Sequence, residues 1–488
     1  MKKLLVAAMM VVLASPAFAA IQNVKVSGDI TTSWIGDSNL DLGMTSAPLT
    51  PAGLKSQNVF LTQTRLRVDA DLSDNVSTTV GLINERAWNA ENSTFTTNNS
   101  TTVTNNSAND TNVQLYLASV TLRELLYSPL TVQIGRQVFN YGNGFILGDG
   151  GAINAGSGNL ESIYADLNMR TAYDGVTATL DYKPLTISMI YFKNGQTANS
   201  ISGIGHLTSG QSSDVYGYNV NYQLSDPWST VVEQYTFARL NGSGFDNLGA
   251  GANKGDTLYV PGLRASTNPT KSLNLQGEIA WQLGNIETVN PNNAAQFEGE
   301  HRNAMAAQLL ATYSLPVLDK YKPTVNAAYT YVSGDKNGID NYDTNHISTA
   351  KTYTGWDEFN TIQGAGTIYR AIFPMSNENI LSAGASIAPL EDVTLGATWS
   401  GLWAADKINA QDPLVMYQPN NGAQGTYSPL TKNGSRGLGN EADLNMTYNY
   451  TEDVTFGVTV GWFVPGAVFT AANNETASQA IANVGVKF

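Results

Sequence analysis

The stretch from Glu441 to Phe488 leaves few folds open. Ala442, Leu444, Met446, Tyr448 and Tyr450 are apolar, while Glu441, Asp443, Asn445, Thr447 and Asn449 between them are polar. A strand with this period has one face in an apolar medium and the other in a polar one. After the break Thr451-Glu452-Asp453, Val454, Phe456, Val458, Val460 and Trp462 alternate with Thr455, Gly457, Thr459 and Gly461, which predicts a hairpin. A last run sets Ala480, Ala482, Val484, Val486 and Phe488 against Gln479, Asn483, Gly485 and Lys487. Strands of about ten residues that alternate this cleanly are long for a soluble sheet and suit a tilted crossing of a bilayer.

The same period runs through the rest of the chain. Val24, Val26, Ile30 and Trp34 alternate with Lys25, Ser27, Asp29 and Ser33; Phe60, Leu66, Val68, Ala70 and Leu72 oppose Gln63, Arg65, Arg67, Asp69 and Asp71. After the tight turn Ser73-Asp74-Asn75, Val76, Thr78, Val80 and Leu82 oppose Ser77, Thr79, Gly81 and Glu85. Further strands are predicted at residues 172–182, 185–191, 216–224, 273–283, 305–313, 325–331, 381–387 and 393–403. Three stretches are less regular: 113–122, 230–238 and 257–267, the last containing Pro261, where a bulge or a bend at the proline is expected. With these and residues 130–134, the expectation is an all-β, transmembrane antiparallel barrel of about eighteen strands. Short turns alternate with long polar loops such as 89–111, rich in Asn, Thr and Ser. That asymmetry is expected of short periplasmic turns and longer outer loops.

Composition fits one large closed sheet better than several soluble domains. Charged residues make up 14% of the chain, Gly numbers 45, and Tyr at 23 exceeds Phe at 15 and Trp at 8; Tyr suits a membrane boundary and Gly suits crowded or bent strands. Residues 1–19 read as a secretory signal, with Lys2 and Lys3, an apolar run from Leu4 to Ala14 and then Ala17-Phe18-Ala19, leaving a barrel of residues 20–488. Removal of that segment leaves 24 basic residues against 40 acidic ones, a formal charge of 24 − 40 = −16, which argues against nucleic acid as a partner. Cysteine is absent, so no disulfide framework, thiolate zinc site or covalently attached haem is expected, and any haem must belong to a partner.

Chemistry-bearing motifs are sparse. His206, His301 and His346 are the only histidines, far apart and in predicted loops, and no nucleophile elbow is present, so no enzyme activity is expected. The glycine run Gly142 to Gly148 has the wrong spacing for a phosphate loop and no helix pattern after it, which leaves a flexible loop or a segment folded into the pore. Asp335, Asn337, Asp340 and Asp343 form an acidic loop turned by Gly338; its spacing is not that of an EF-hand, so the loop reads either as a calcium site of another kind or as an ordinary solvated loop. No cofactor is expected otherwise.

Three stretches resemble the alginate-export family of outer-membrane barrels: Val132-Gln133-Ile134-Gly135-Arg136-Gln137 with Asn140-Tyr141-Gly142 and Tyr173-Asp174-Gly175; Tyr331-Val332-Ser333-Gly334-Asp335-Lys336; and Leu438 to Leu444 running on to Pro465-Gly466-Ala467-Val468-Phe469. The resemblance implies an eighteen-stranded barrel in the bacterial outer membrane serving as a passage. Export of an acidic polysaccharide calls for a strongly basic lumen, and the chain has only 11 arginines. The residues expected to line the pore are Lys25, Arg65, Arg67, Arg136 and Gln133 with Asp29, Asp69, Asp71, Glu85, Glu278, Glu441 and Asp443; Arg264 and Asp181 are further inward candidates. An acidic inner surface predicts a porin passing small solutes with a weak preference for cations and neutral molecules. The alternative is a sheath around a periplasmic or lumen-inserted partner such as a multihaem cytochrome.

Overall fold

A computed structural model describes residues 23–40, 42–43, 56–88, 95–96, 102–103, 113–148, 172–196, 212–241, 256–289, 297–335, 352–359, 361, 363–408, 415–417, 424–426, 434–471 and 473–488. The expected signal segment, the Asn/Thr-rich loop apart from two short paired stretches, His206, His346, Asn337, Asp340 and Asp343 lie outside these residues.

Eighteen strands make the barrel: β1 (Asn23–Ser38), β2 (Ser56–Ser73), β3 (Val76–Ala87), β4 (Gln114–Leu122), β5 (Leu130–Val138), β6 (Ala172–Asp181), β7 (Leu185–Gln196), β8 (Ser212–Gln223), β9 (Val231–Asn241), β10 (Asp256–Thr270), β11 (Leu273–Val289), β12 (Phe297–Ser314), β13 (Thr324–Val332), β14 (Glu378–Leu390), β15 (Val393–Ala404), β16 (Gly437–Asn449), β17 (Val454–Pro465) and β18 (Ala477–Lys487). Each pairs antiparallel with the next, and β18 returns to β1 in the register Asp29↔Lys487 to Ser38↔Ser478. Closure satisfies every strand edge, which is what a sheet needs where no water can bond a free edge. One five-residue helix, α1 (Ile368–Ile372), lies in the connection from β13 to β14.

Parity decides which side of the wall a residue takes. Exposed apolar side chains such as Ile30, Val80, Met189, Leu263, Leu309, Trp399 and Leu444 share one parity along their strands. The other parity holds buried polar groups, among them Ser33, Asn219, Glu233, Gln308 and Glu441. In a closed sheet these are the outer and inner faces, and the outer one is the apolar band that lipid covers.

Of the three irregular stretches, only β4 carries a bulge within the wall: Gly81 pairs with Leu117 and Leu82 with Leu115, leaving Tyr116 over. β9 pairs without interruption on both sides. β10 keeps one register across Pro261, with Tyr259↔Leu283 before it and Gly262↔Ala280 after it; the proline ring is on the outer face. The chain end is tied in by Gly28 and Phe488, whose backbones exchange hydrogen bonds of 2.8 and 3.0 Å. A Cβ on Gly28 would lie 2.7 Å from the Phe488 ring and 2.5 Å from the Arg65 carbonyl oxygen, so only glycine fits under the terminal aromatic.

The turns joining β2 to β3, β6 to β7 and β14 to β15 are a few residues long, whereas connections at the opposite end run as far as residues 333–377. Two apolar clusters fill part of the interior toward that long-loop end. One joins Ile368, Tyr369, Phe373, Phe463 and Phe469; the other joins Phe139, Phe145, Phe192, Phe237, Trp356 and Phe359.

Candidate functional site

The interior narrows where two connecting segments fold against the inner wall. The first, residues 139–148, leaves β5 and reaches β10 and β11. There Asn143 accepts from the Arg264 guanidinium at 2.8 Å and donates to Gln276 Oε1 at 2.7 Å. Arg264 also pairs with Glu233, and Tyr235 donates to Glu278 Oε1 at 2.6 Å. Burial pushes the Tyr141 hydroxyl up to about 12, against the pull of Ser188.

The second segment, residues 352–377, is anchored at two places. Near its start Asp357 Oδ2 is 2.6 Å from Arg239 and 3.2 Å from Arg302, while the Asp357 amide donates to Gln282 Oε1 at 2.8 Å. Burial pushes the Asp357 carboxyl up, but the two guanidinium groups outweigh it and hold it below its ordinary value. Farther on, Glu441 accepts the backbone N–H groups of Thr367, Ile368 and Tyr369 at 2.6 to 2.7 Å. Thr367 Oγ1 donates to Asp443 Oδ1 at 3.1 Å. A carboxylate that meets three free amides at the start of α1 does the work of a helix cap from another element. Gly366 turns the chain there with φ +58°, and a Cβ on it would strike the Glu441 carboxyl at 2.1 Å. Burial, with Glu378 and Glu441 nearby, pushes the Tyr369 hydroxyl well above its ordinary value. The two segments meet where Gln363 donates to the Asn143 carbonyl at 2.8 Å and Thr361 to that of Gly144 at 3.1 Å. The glycine run is therefore a segment folded into the barrel.

Toward the short turns the inner wall of β1 and β2 stays open. Arg65 Nε lies 2.9 Å from both oxygens of Asp29, and Arg67 donates to Asp69 at 2.7 and 2.9 Å with Thr79 adding a bond of 2.6 Å. Lys25 and Asp71 share that inner parity. Higher up, Gln63 donates to Glu85 at 3.0 Å and Gln133 to Ser119 at 2.9 Å.

Several expected pore residues are placed differently. Arg136 shares the parity of Ile134 and Val138, both exposed, and pairs with Asp174 at 3.2 Å; it lies on the outer face near the end of β5, where a paired charge costs less than at mid-membrane. Glu441, Asp443 and Glu278 do face inward, but at 1%, 8% and 8% exposure they are covered by the inserted segments and by Tyr235 and Arg264 rather than presented to water. Asp335 is buried and accepts from Thr354 Oγ1 at 3.1 Å. His301 bonds Asn285 at 2.8 Å. No group of three or more acidic or histidine side chains that could hold a metal occurs among the described residues. Sequence reasoning passed over Arg239, Arg302, Asp357 and Gln282. Arg302 was visible as a charge in step with Ala304, Ala306 and Gln308, but the segment carrying Asp357 has no periodicity to mark it.

Comparison with known proteins agrees with this architecture. The profile of the alginate export family matches residues 44–483. Solved barrels align over nearly the whole chain at low identity. OccAB1 of Acinetobacter baumannii matches with 11% identity and a TM-score of 0.54, covering 97% of this chain and 98% of that one. The outer membrane protein OpdK of Pseudomonas aeruginosa matches with 8% and 0.54 over 96% and 99%, and OprD of the same species with 12% and 0.51 over 97% and 96%. A search of curated proteins finds no match.

Proposed function

The chain belongs to the alginate export family of bacterial outer-membrane barrels, and on that premise we propose that it is a passive channel for small solutes, with a weak preference for cations and neutral molecules and no covalent chemistry. The observation that carries this is the division of the interior. Two pinned segments narrow one side, while the wall of β1 and β2 keeps hydrophilic side chains open to water. A passage of this kind excludes by size and polarity rather than by a ring of like charges.

The preference is weak because the charges on the open wall pair off. Arg65 meets Asp29 and Arg67 meets Asp69, so little field remains to act on an ion beyond a Debye length. The remaining tilt toward cations comes from the acidic excess of the chain. An acidic polysaccharide is a poor cargo on the same grounds. The inserted segments also take up room that a sheathed cytochrome would need, which favours the channel over the sheath.

The reversal potential of the purified protein in a planar bilayer under a potassium chloride gradient tests this. A small potential of cation-selective sign, falling as salt rises, is expected. Clear anion selectivity would mean that Arg65 and Arg67 govern the path.

A further inference from the structure

Below the inserted segments, the inner wall that runs from β13 round to β18, the strand beside β1, has its own chemistry. Asn326 on β13 pairs with Gly384 on β14, Asn445 on β16 with Gly396 on β15, and Asn483 on β18 with Gly457 on β17. All six are on the inner parity. A Cβ on these glycines would lie 2.6, 2.3 and 2.6 Å from the amide oxygen of the facing asparagine. Each amide therefore lies flat across a bare backbone, which needs glycine at that point. Asn326 and Asn445 are exposed and Asn483 is half-buried. Among the described residues none of the three amides hydrogen-bonds another protein group, so their donors and acceptors are left to water or to a solute.

From Asn326 to Asn445 the sheet advances three strands, and from there to Asn483 two more. At about 4.8 Å per strand the row extends on the order of 24 Å, several sugar rings long. An amide offers two donors and an acceptor oxygen with no net charge. Ions gain little from it. A hydroxyl-rich molecule, which both donates and accepts, can exchange water for it at each step. Repeated weak contacts are also what conduction needs, since a solute held tightly at one point does not leave.

We propose that this asparagine row is a contact track for uncharged, hydroxyl-rich solutes of the sugar or polyol class. The proposal rests on the channel reading and names what the channel favours. Ethers of the same size accept hydrogen bonds but donate none, so they separate a track from a mere hole.

The test is the block of potassium chloride current through the whole protein by maltotriose and by a polyethylene glycol dimethyl ether of equal hydrodynamic size, whose capped ends donate no hydrogen bond. Two or three hydrogen bonds gained by the sugar alone predict half-block at a concentration about tenfold lower than for the glycol. Asn326→Leu, Asn445→Leu and Asn483→Leu together should remove that advantage, bringing half-block by sugar and by glycol to the same concentration. Equal block by sugar and glycol in the unmodified protein would overturn the track, whether or not the variant folds. A triple variant that keeps the advantage would overturn it too. Absence of any potassium chloride current in the unmodified protein would instead overturn the channel reading, and the track with it.

Discussion

The two halves of the interior handle charge in opposite ways. Toward the long loops, Glu441 and Arg264 are removed from water, Asp357 is half-buried between two guanidinium groups, and all three are met by groups far away in the chain. Toward the short turns, Asp29, Arg65, Arg67 and Asp69 stay partly in water and pair with a cross-strand or next-but-one neighbour. A buried charge stripped of its partner is costly, whereas an exposed pair is worth little either way. The first half is therefore specified in detail and narrows the barrel; the second is permissive and touches the solute.

Substitutions along one strand should expose that difference most strongly. Glu441→Ala leaves three amides of the inserted segment without an acceptor, at ~1 to 3 kcal/mol for each one kept from water. Asn445→Ala, two steps on along the same inner face, should cost less than about 0.5 kcal/mol. Urea unfolding from lipid vesicles measures both, and similar losses would erase the distinction. The two faces of β17 give the next contrast. An arginine at Val458, toward lipid, should cost ~2 to 4 kcal/mol, and one at Thr459 much less. A water-soluble thiol reagent should label a cysteine at Thr459 and spare one at Val458; equal labelling would mean the register is slipped by one residue.

A smaller effect is expected at the seam. Gly28→Ala sets a methyl group against the Phe488 ring and the Arg65 carbonyl, an overpacking worth ~1 to 3 kcal/mol. Deleting Phe488 should lower the amount of heat-modifiable barrel in the outer membrane, and unchanged levels would deny the terminal ring a part in assembly.

The smallest effect is with pH. Asp357 is held below its ordinary value, so its contribution is complete above the unfolded carboxylate range near 4 and fades as pH falls through the lower folded value. The Asp357 anchor should therefore hold from about pH 8 to 5 and give way only in stronger acid, where conductance should rise. A midpoint near neutrality would assign the control of the segment to another group.

Much of the wall was legible in the sequence because lipid and water face opposite sides of every strand. The parity of β16 to β18 could be read residue by residue. Arg136 was misplaced despite that rule: Gln133, Gly135 and Gln137 alternate with Val132 and Ile134, so Arg136 belonged with the apolar set, and a preference for inward charges overrode the period. Asp174, which offsets it, lies 38 residues away. The inserted segments were harder to read. Bonds such as Gln363 to Asn143 join positions more than two hundred residues apart, and no local pattern announces them. Glu441 and Asp443 share the inner parity, but what covers them comes from a stretch with no repeat at all.

Single-channel conductance of the unmodified barrel beside the double variant Asp357→Ala, Glu441→Ala tests the central claim most directly, since these residues pin the narrowing segment at residue 357 and at residues 367–369. The account predicts a small, steady potassium chloride current in the first and a current several times larger, with a weaker size cut-off, in a folded second. Equal currents in the two would contradict it, because the segment would then not set the width of the path.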